Sequence, residues 1–290
     1  MGKIMVTGAL GNVGGFVTQE LLNMGETVIC ADISAEKLNE RYGEKTENVY
    51  FDFTDKSTFG NALNGADRVF LMRPPHLGKP EDLYPFIDEM KEKGIKLVSF
   101  LSLMGVEKNT IPPHHKIEKY IEKAGLPFAH IRPGFFMQNV SGVHSAEICN
   151  QNKIFVPAGN SRTSFIDAAD IGLSAAILLH NADKYQNTAH TITGPQALNY
   201  YEIADILSEV TGRKIVYAKP SYLRYRSHYI KNRELDKEYV NVTVALYFMT
   251  RMGTAKEVTD EFYKLTGKRP RTFLDFAKEN KIAFIKGKKE

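Results

Sequence analysis

The chain has 290 residues, 43% of them hydrophobic and 25% charged, with a formal net charge of +4. That length holds one large or two modest domains around a buried core, and that composition excludes a disordered or fibrous chain. Part of the positive excess lies in Lys286-Gly287-Lys288-Lys289, which reads as a solvated tail, and the other basic residues are scattered, so no nucleic-acid partner is expected. No apolar run reaches the length of a membrane span, and Met1-Gly2-Lys3 leads into a strand pattern rather than a signal peptide. Cys30 and Cys149 form neither a CxxC pair nor a zinc spacing. One disulfide is compatible with them, and a reduced cytoplasmic protein with no metal site is the simpler expectation.

In chain order, short apolar runs predict strands at residues 3–7, 27–31, 49–53, 68–72, 96–101 and 128–132. Amphipathic patterns predict helices between them at 13–24, 35–42, 58–63, 81–93 and 113–124. In the first, Val13, Phe16, Val17 and Leu21 return every three or four positions. Gly94 and Gly125 stand where helices should end. Strands alternating with helices imply crossover units and a parallel sheet covered on both faces. A further strand and helix are expected at 164–167 and 168–180, and another strand at 188–193. From Gly194 onward helical patterns dominate, at 200–211, 240–250 and 254–266. The expected organisation is therefore a nucleotide-binding part over 1–193 and a smaller, mostly helical substrate region over 194–290. With no repeat or low-complexity linker between them, the two are expected to pack together, the second over the ligand edge of the sheet.

The segment Thr7-Gly8-Ala9-Leu10-Gly11-Asn12-Val13-Gly14 follows the first strand and opens the first helix. Glycines at these spacings mean little alone, but this context gives each a task. Gly8 permits a tight turn, Gly11 lets the backbone approach a pyrophosphate, and Gly14 allows close helix–strand packing. The helix start then offers free N–H groups and a positive dipole end to the phosphates. The reading is a dinucleotide site on an α/β, Rossmann-type doubly wound parallel sheet.

Asp32 ends the second strand, about 20 residues beyond the loop, where an acid bonds the adenosine ribose. A carboxylate there repels a ribose phosphate, so it favours NAD over NADP; the plainer alternative, an exposed cap for the next helix, can coexist with that role. Asp52-Phe53, ending the third strand, would lie beside the adenine or simply make a strand-end turn.

With these motifs placed, the chain resembles the NmrA-like family, an atypical branch of the short-chain dehydrogenase/reductases. The resemblance runs nearly end to end. It is carried by the TGxxGxxG opening, Val69-Phe70-Leu71-Met72-Arg73-Pro74-Pro75, Gly125-Leu126-Pro127, Arg132-Pro133-Gly134-Phe135-Phe136-Met137-Gln138-Asn139 and Ser164-Phe165-Ile166-Asp167-Ala168-Ala169-Asp170-Ile171. Thr211-Gly212-Arg213 and Gly267-Lys268-Arg269-Pro270-Arg271-Thr272-Phe273 complete it. The family implies a Rossmann fold with a small carboxy-terminal substrate region; its members include quinone and azo-dye reductases and sensors of nicotinamide redox state. Carried over by motif, cofactor contacts fall on Gly8, Leu10, Gly11, Asn12, Val13, Asp32, Asp52, Phe53, Arg73, Pro74 and Pro133. The nicotinamide region would lie near Arg73-Pro74, Ser102 and Phe136. Many relatives carry an Arg after the second strand to hold the NADP phosphate; this chain has Ala31-Asp32 instead.

The usual Tyr-x-x-x-Lys of short-chain reductases is missing from the start of the fifth helix, which reads Pro112-Pro113-His114-His115-Lys116-Ile117-Glu118-Lys119-Tyr120. His114 stands where several relatives have Lys, and the quinone-reductase-like branch shows a similar His with Glu four residues on. On one helix face, Glu118 would orient the imidazole of His114, giving a proton donor; a solvated helix start is the plainer alternative. Phe135 and Phe136 would offer a stacking wall and Asn139 a bond to an acceptor carbonyl, or the phenylalanines would anchor the carboxy-terminal region. The aromatic density of Tyr222, Tyr225, His228 and Tyr229 suggests a lid. The expected function is NAD(P)H-dependent reduction of a small flat acceptor such as a quinone or azo compound. The alternative is a non-enzymatic NAD(P) sensor acting through a protein partner.

Overall fold

The computed structural model describes residues 2–285, so the basic run 286–289 lies outside the described residues. The chain divides into two compact units. The first contains the residues up to Pro133, Ala168–Ile192 and Glu261–Lys268; the second contains Gly134–Asp167, Thr193–Asp260 and the chain from Arg269 on. A single cut after residue 193 therefore does not describe the division. The segment after Pro133 leaves the first unit early, and the chain returns to it twice. Among the described residues no helix is long and apolar enough to cross a membrane.

The first unit is built on strands β1 (Lys3–Thr7), β2 (Val28–Asp32), β3 (Glu47–Tyr50), β4 (Ala66–Met72), β5 (Leu97–Leu101) and β6 (Ala129–Pro133), with Thr188–Ile192 as a seventh. Their spatial order is Thr188–Ile192, β6, β5, β4, β1, β2, β3. Every pair is parallel. Crossover helices α1 (Asn12–Asn23), α2 (Ala35–Tyr42), α3 (Phe59–Ala62), α4 (Tyr84–Glu92) and α5 (Pro113–Ala124) follow the first five strands in turn. On one face Met5, Ile29, Val69, Leu71, Val98 and Phe100 pack with Phe59, Phe86, Met90, Ile117 and Ile121. Each such side chain stabilises by roughly 1.5–3 kcal/mol on burial. On the other face α1 packs against the helix Ala168–His180, so closely that a Cβ on Gly172 would overlap Phe16. The strand order reverses between β1 and β4, which opens a crevice at the carboxyl ends of the strands.

Two elements differ from the sequence reading. β3 ends at Tyr50 rather than 53, because Phe51 and Phe53 turn into an aromatic cluster with Phe59 and Phe86. Asp52 reinforces the departure by accepting from the Thr54 N–H at 2.8 Å, a side-chain turn that competes with the sheet ladder. The expected helix over 254–266 forms only over Glu261–Thr266. Before it, the Ala255 carbonyl accepts from Ser164 N–H and Thr259 N–H donates to Thr193 Oγ1, so the backbone is engaged elsewhere.

The second unit holds two small sheets. Thr163–Ile166 lies between Phe135–Phe136 (parallel) and Ala197–Leu198 (antiparallel), and Lys153–Ile154 pairs with Val216–Tyr217. The strand expected near 164–167 thus belongs to a sheet of its own. Gly134 is required there, because a Cβ would overlap the Ser164 carbonyl. Helices Tyr200–Thr211, Lys237–Arg251 and Phe273–Glu279 start at Asn199, Asp236 and Thr272, each of which caps its helix with its side chain.

Candidate functional site

The glycine-rich loop after β1 is held at both ends. Thr7 Oγ1 donates to the Phe70 carbonyl and accepts from Met72 N–H, each at 3.0 Å, tying the end of β1 to the end of β4. Gly8 then turns with φ +64°, and its N–H donates to Ala31 O at 2.9 Å. A Cβ on Gly14 would overlap Gly8, so α1 sits directly on the turn. At Gly11, among the described residues, the only near neighbour of a Cβ would be Gly8 O at 3.1 Å, leaving the rest of that side open. No side chain caps α1, and Asn12 is exposed, so its first N–H groups are free for a ligand.

A cavity of about 800 Å³ opens beside this loop, lined by Gly8, Leu10, Gly11, Asp32, Asp52, Phe53 and Pro74 from the predicted set. Met72 and Pro75, from the fourth-strand motif, line it too, as do Ile33, Tyr50, Thr54 and His76, which the sequence reading missed because they lie beside strand ends and form no motif. Asp32 accepts from Leu10 N–H at 3.1 Å and from Ile33 N–H at 2.8 Å, one oxygen to each. Arg41 donates to Leu10 O at 3.1 Å, and Tyr42 to Ala9 O at 2.7 Å, so α2 braces the loop from behind. Asp52 spends one oxygen on Thr54, whose N–H and hydroxyl hold the carboxyl below the usual range. Val13 is buried in the core, and Asn12, Val13, Gly14, Arg73, Ser102 and Pro133 do not line the cavity.

Arg73, Ser102 and His114 lie at the carboxyl ends of β4 and β5 and at the start of α5. Each has a buried polar atom without a hydrogen-bond partner: Nε of Arg73, Oγ of Ser102 and Nδ1 of His114. The His114 ring stacks on Phe100 at 6.0 Å. Burial, then the Arg73 charge, pushes its pKa down to about 3, so it is neutral at ordinary pH. Glu118 does not orient it. Both Glu118 oxygens accept from Arg132, at 3.0 and 2.7 Å. The reason is that Arg132, on the strand beneath α5, offers a planar pair of donors that a neutral imidazole cannot match. Glu118, Glu122 and His130 bring ligand-type atoms within 4.8 Å of one another, but the Arg132 pairing already occupies Glu118.

In the second unit, Phe135 packs against the core that contains Tyr247, whereas Phe136 is half-buried and Asn139 exposed. The suggested lid is a core instead: Tyr225 and Tyr229 are buried. His144 bonds Tyr229 and Tyr247 through its two ring nitrogens at 2.7 and 2.8 Å, and Glu147 bonds Tyr229, His228 and Arg233. Burial of otherwise polar rings needs such partners, which is why these aromatics turn inward as a set.

Comparison with known proteins places this geometry. The model of the NmrA-like family matches residues 1–269. The chain belongs to the NmrA-like family. Prestalk A differentiation protein A of Dictyostelium discoideum is 31% identical over 96% of this chain and 92% of its own length. The NAD(P)H azoreductase of Xenophilus azovorans is 26% identical over 97% of this chain and 99% of its own. Among solved structures, the triphenylmethane reductase of Citrobacter sp. in complex with NADP(H) superposes with a TM-score of 0.83 at 21% identity, covering 96% of this chain and 99% of that one. It shares the Rossmann-type fold.

Proposed function

We propose that this NmrA-like protein is an NAD(P)H-dependent oxidoreductase that reduces a small, flat, conjugated acceptor such as a quinone or azo compound. The observation that carries the reading is the cavity at the strand-order switch point, lined by the glycine loop that opens the uncapped helix α1 and by Asp32 and Asp52. The residues fit a dinucleotide. The backbone N–H groups of Asn12 and Val13, at the uncapped start of α1, would take the pyrophosphate where it passes Gly11, Asp32 the adenosine ribose, and Asp52 with Phe53 the adenine. Arg73, Pro74, Ser102 and Pro133 would flank the nicotinamide end. Asp32 argues for NADH over NADPH, although the triphenylmethane reductase holds NADP(H). Bound there, a reduced nicotinamide supplies a hydride. What the chain supplies is orientation. The relatives named for azo and triphenylmethane reduction support a flat, delocalised acceptor.

Two measurements test this. Calorimetric titration with NADH should show stoichiometric binding that Gly11→Val abolishes with the fold intact, since a branched side chain would fill the open side of Gly11. A screen of quinones, azo dyes and aldehydes with NADH and NADPH should find turnover above the buffer rate. Tight binding with no turnover anywhere would overturn the enzyme reading in favour of a sensor, and unchanged affinity in Gly11→Val would overturn the site.

A further inference from the structure

The parallel pairing of β4 with β5 brings Arg73, Ser102 and His114 together. Met72 and Leu101 are register partners, so Arg73 and Ser102 leave neighbouring strands side by side at the carboxyl edge. His114, in the first turn of α5, lies on the ring of Phe100. Phe100 is two residues before Ser102, hence on the same face of the strand. His114 is also near enough to Arg73 for the guanidinium charge to act on its ring. Met72 and Pro74, on either side of Arg73, line the dinucleotide cavity.

Three features of this cluster are left unexplained by the fold. Each residue keeps a buried polar atom without a partner, and such atoms are rare enough in native proteins to need a reason. The bonds of the Arg73 guanidinium go only to the carbonyls of Pro74 and Leu77, and among the described residues no carboxylate pairs with it. Asp82, the carboxylate that acts on it electrostatically, accepts instead from the Lys79 N–H at 3.1 Å. A half-buried cation with a free donor, flanked by a hydroxyl and a neutral imidazole, suits an oxygen that carries or gains negative charge.

We infer that Arg73, Ser102 and His114 form a receptor for the acceptor's oxygen, selecting neutral or anionic conjugated carbonyl compounds, quinones foremost, and turning cationic acceptors away. The inference rests on the reductase reading and narrows it. With a reduced nicotinamide bound as hydride source, a quinone would gain an O–H bond at one oxygen, and the electron pair displaced through the ring as both carbonyl π bonds are lost would leave the opposite oxygen as a phenolate. Arg73 balances that charge, Ser102 and His114 donate hydrogen bonds to it, and a proton from water completes the phenol. A triphenylmethane dye, cationic before reduction, gains nothing from Arg73 and is opposed by it.

The test uses the whole protein saturated with NAD⁺ and the planar anion salicylate, which cannot be reduced by hydride under these conditions. Calorimetry should show salicylate binding that Arg73→Gln weakens about tenfold or more, the size expected for losing a charged hydrogen bond. Arg73→Lys should recover part of it, and Ser102→Ala, which removes one oxygen and keeps the fold, should lose affinity to a smaller degree. In turnover, the wild type should prefer 1,4-benzoquinone to crystal violet, and Arg73→Gln should shrink that preference. Salicylate affinity unchanged in both Arg73→Gln and Ser102→Ala, or crystal violet reduced by the wild type as readily as the quinone, overturns the receptor. Absence of turnover with every acceptor, with salicylate binding still dependent on Arg73, overturns the reductase reading and leaves the anion site standing.

Discussion

Asp32 shows how one side chain sets both the shape and the charge of the cavity beside the Gly8–Gly14 loop. Its two oxygens each accept a backbone N–H, from Leu10 and Ile33, which fixes the carboxylate at the end of β2 and facing the cavity. A second phosphate on the adenosine ribose would meet this negative group. NADH is expected to bind more tightly than NADPH by about 1–3 kcal/mol, and Asp32→Ala to narrow the gap, read by fluorescence titration of each nucleotide. Tighter NADPH binding by the wild type would reverse the assignment. It would point to Arg41, whose Nη1 already reaches Leu10 O at 3.1 Å, as a phosphate ligand.

At the scale of the element, α5 carries His114, Glu118 and Glu122 four residues apart, on one face of the helix. Glu118 is 1% exposed and bidentate with Arg132. Removing one member of a buried pair strands the other's charge, so Glu118→Gln should destabilise the protein by about 3–5 kcal/mol, measured by urea unfolding. A loss below 1 kcal/mol would show that Arg132 finds another carboxylate, with Glu107 at 3.5 Å the nearest alternative. The same helix shows what sequence can and cannot carry. Its bounds, 113–124, were legible because a proline opens it, apolar residues recur at helical spacing, and Gly125 closes it with φ +76°. The partner of Glu118 was not, since Arg132 reaches it through the packing of helix on sheet, whereas His114 only shares its helix. The Gly8–Gly14 turn between β1 and α1 was legible for the converse reason: its residues are consecutive. The His144 network was invisible, because Tyr229 and Tyr247 lie 85 and 103 positions away. Residues 254–260 misled because apolar spacing cannot reveal that Ser164 and Thr193 bond that backbone.

Across the whole molecule, three histidines whose surroundings disfavour the charged ring, His114, His130 and His144, contribute to the response to acid. Burial pushes the pKa of His114 and His130 down to about 3 and that of His144 to about 4. Unfolded histidines bind protons below about pH 6.5, whereas these stay neutral in the native state. Their contribution to stability is therefore complete above pH 6.5 and is lost as pH falls towards 4. His130 is the residue with which to test this, because it is fully buried, lies 4.4 Å from Phe128 ring to ring, and hydrogen-bonds through neither nitrogen. His130→Leu forfeits no hydrogen bond and should flatten the fall in urea stability between pH 6 and 4.5 by up to about 1.4 kcal/mol per pH unit. An unchanged slope would mean that His130 is protonated in the native state, held by Glu122, whose Oε1 is 3.6 Å away.

The first unit is assembled from three stretches of chain, the last ending at Lys268. A ribosome, which adds residues in order, delivers β6 and then Gly134–Asp167, which belongs elsewhere, before it delivers the helix that covers α1 and the strand that pairs with β6. At roughly 5–20 residues per second, the nascent sheet waits seconds with β6 unpaired at its edge and the α1 face uncovered. It waits longer still for Glu261, the partner of His190 at 2.7 Å on the edge strand. A gene truncated after residue 193 would make that waiting state permanent, releasing a sheet without Glu261–Lys268 and a Gly134–Asp167 segment without the rest of its own unit.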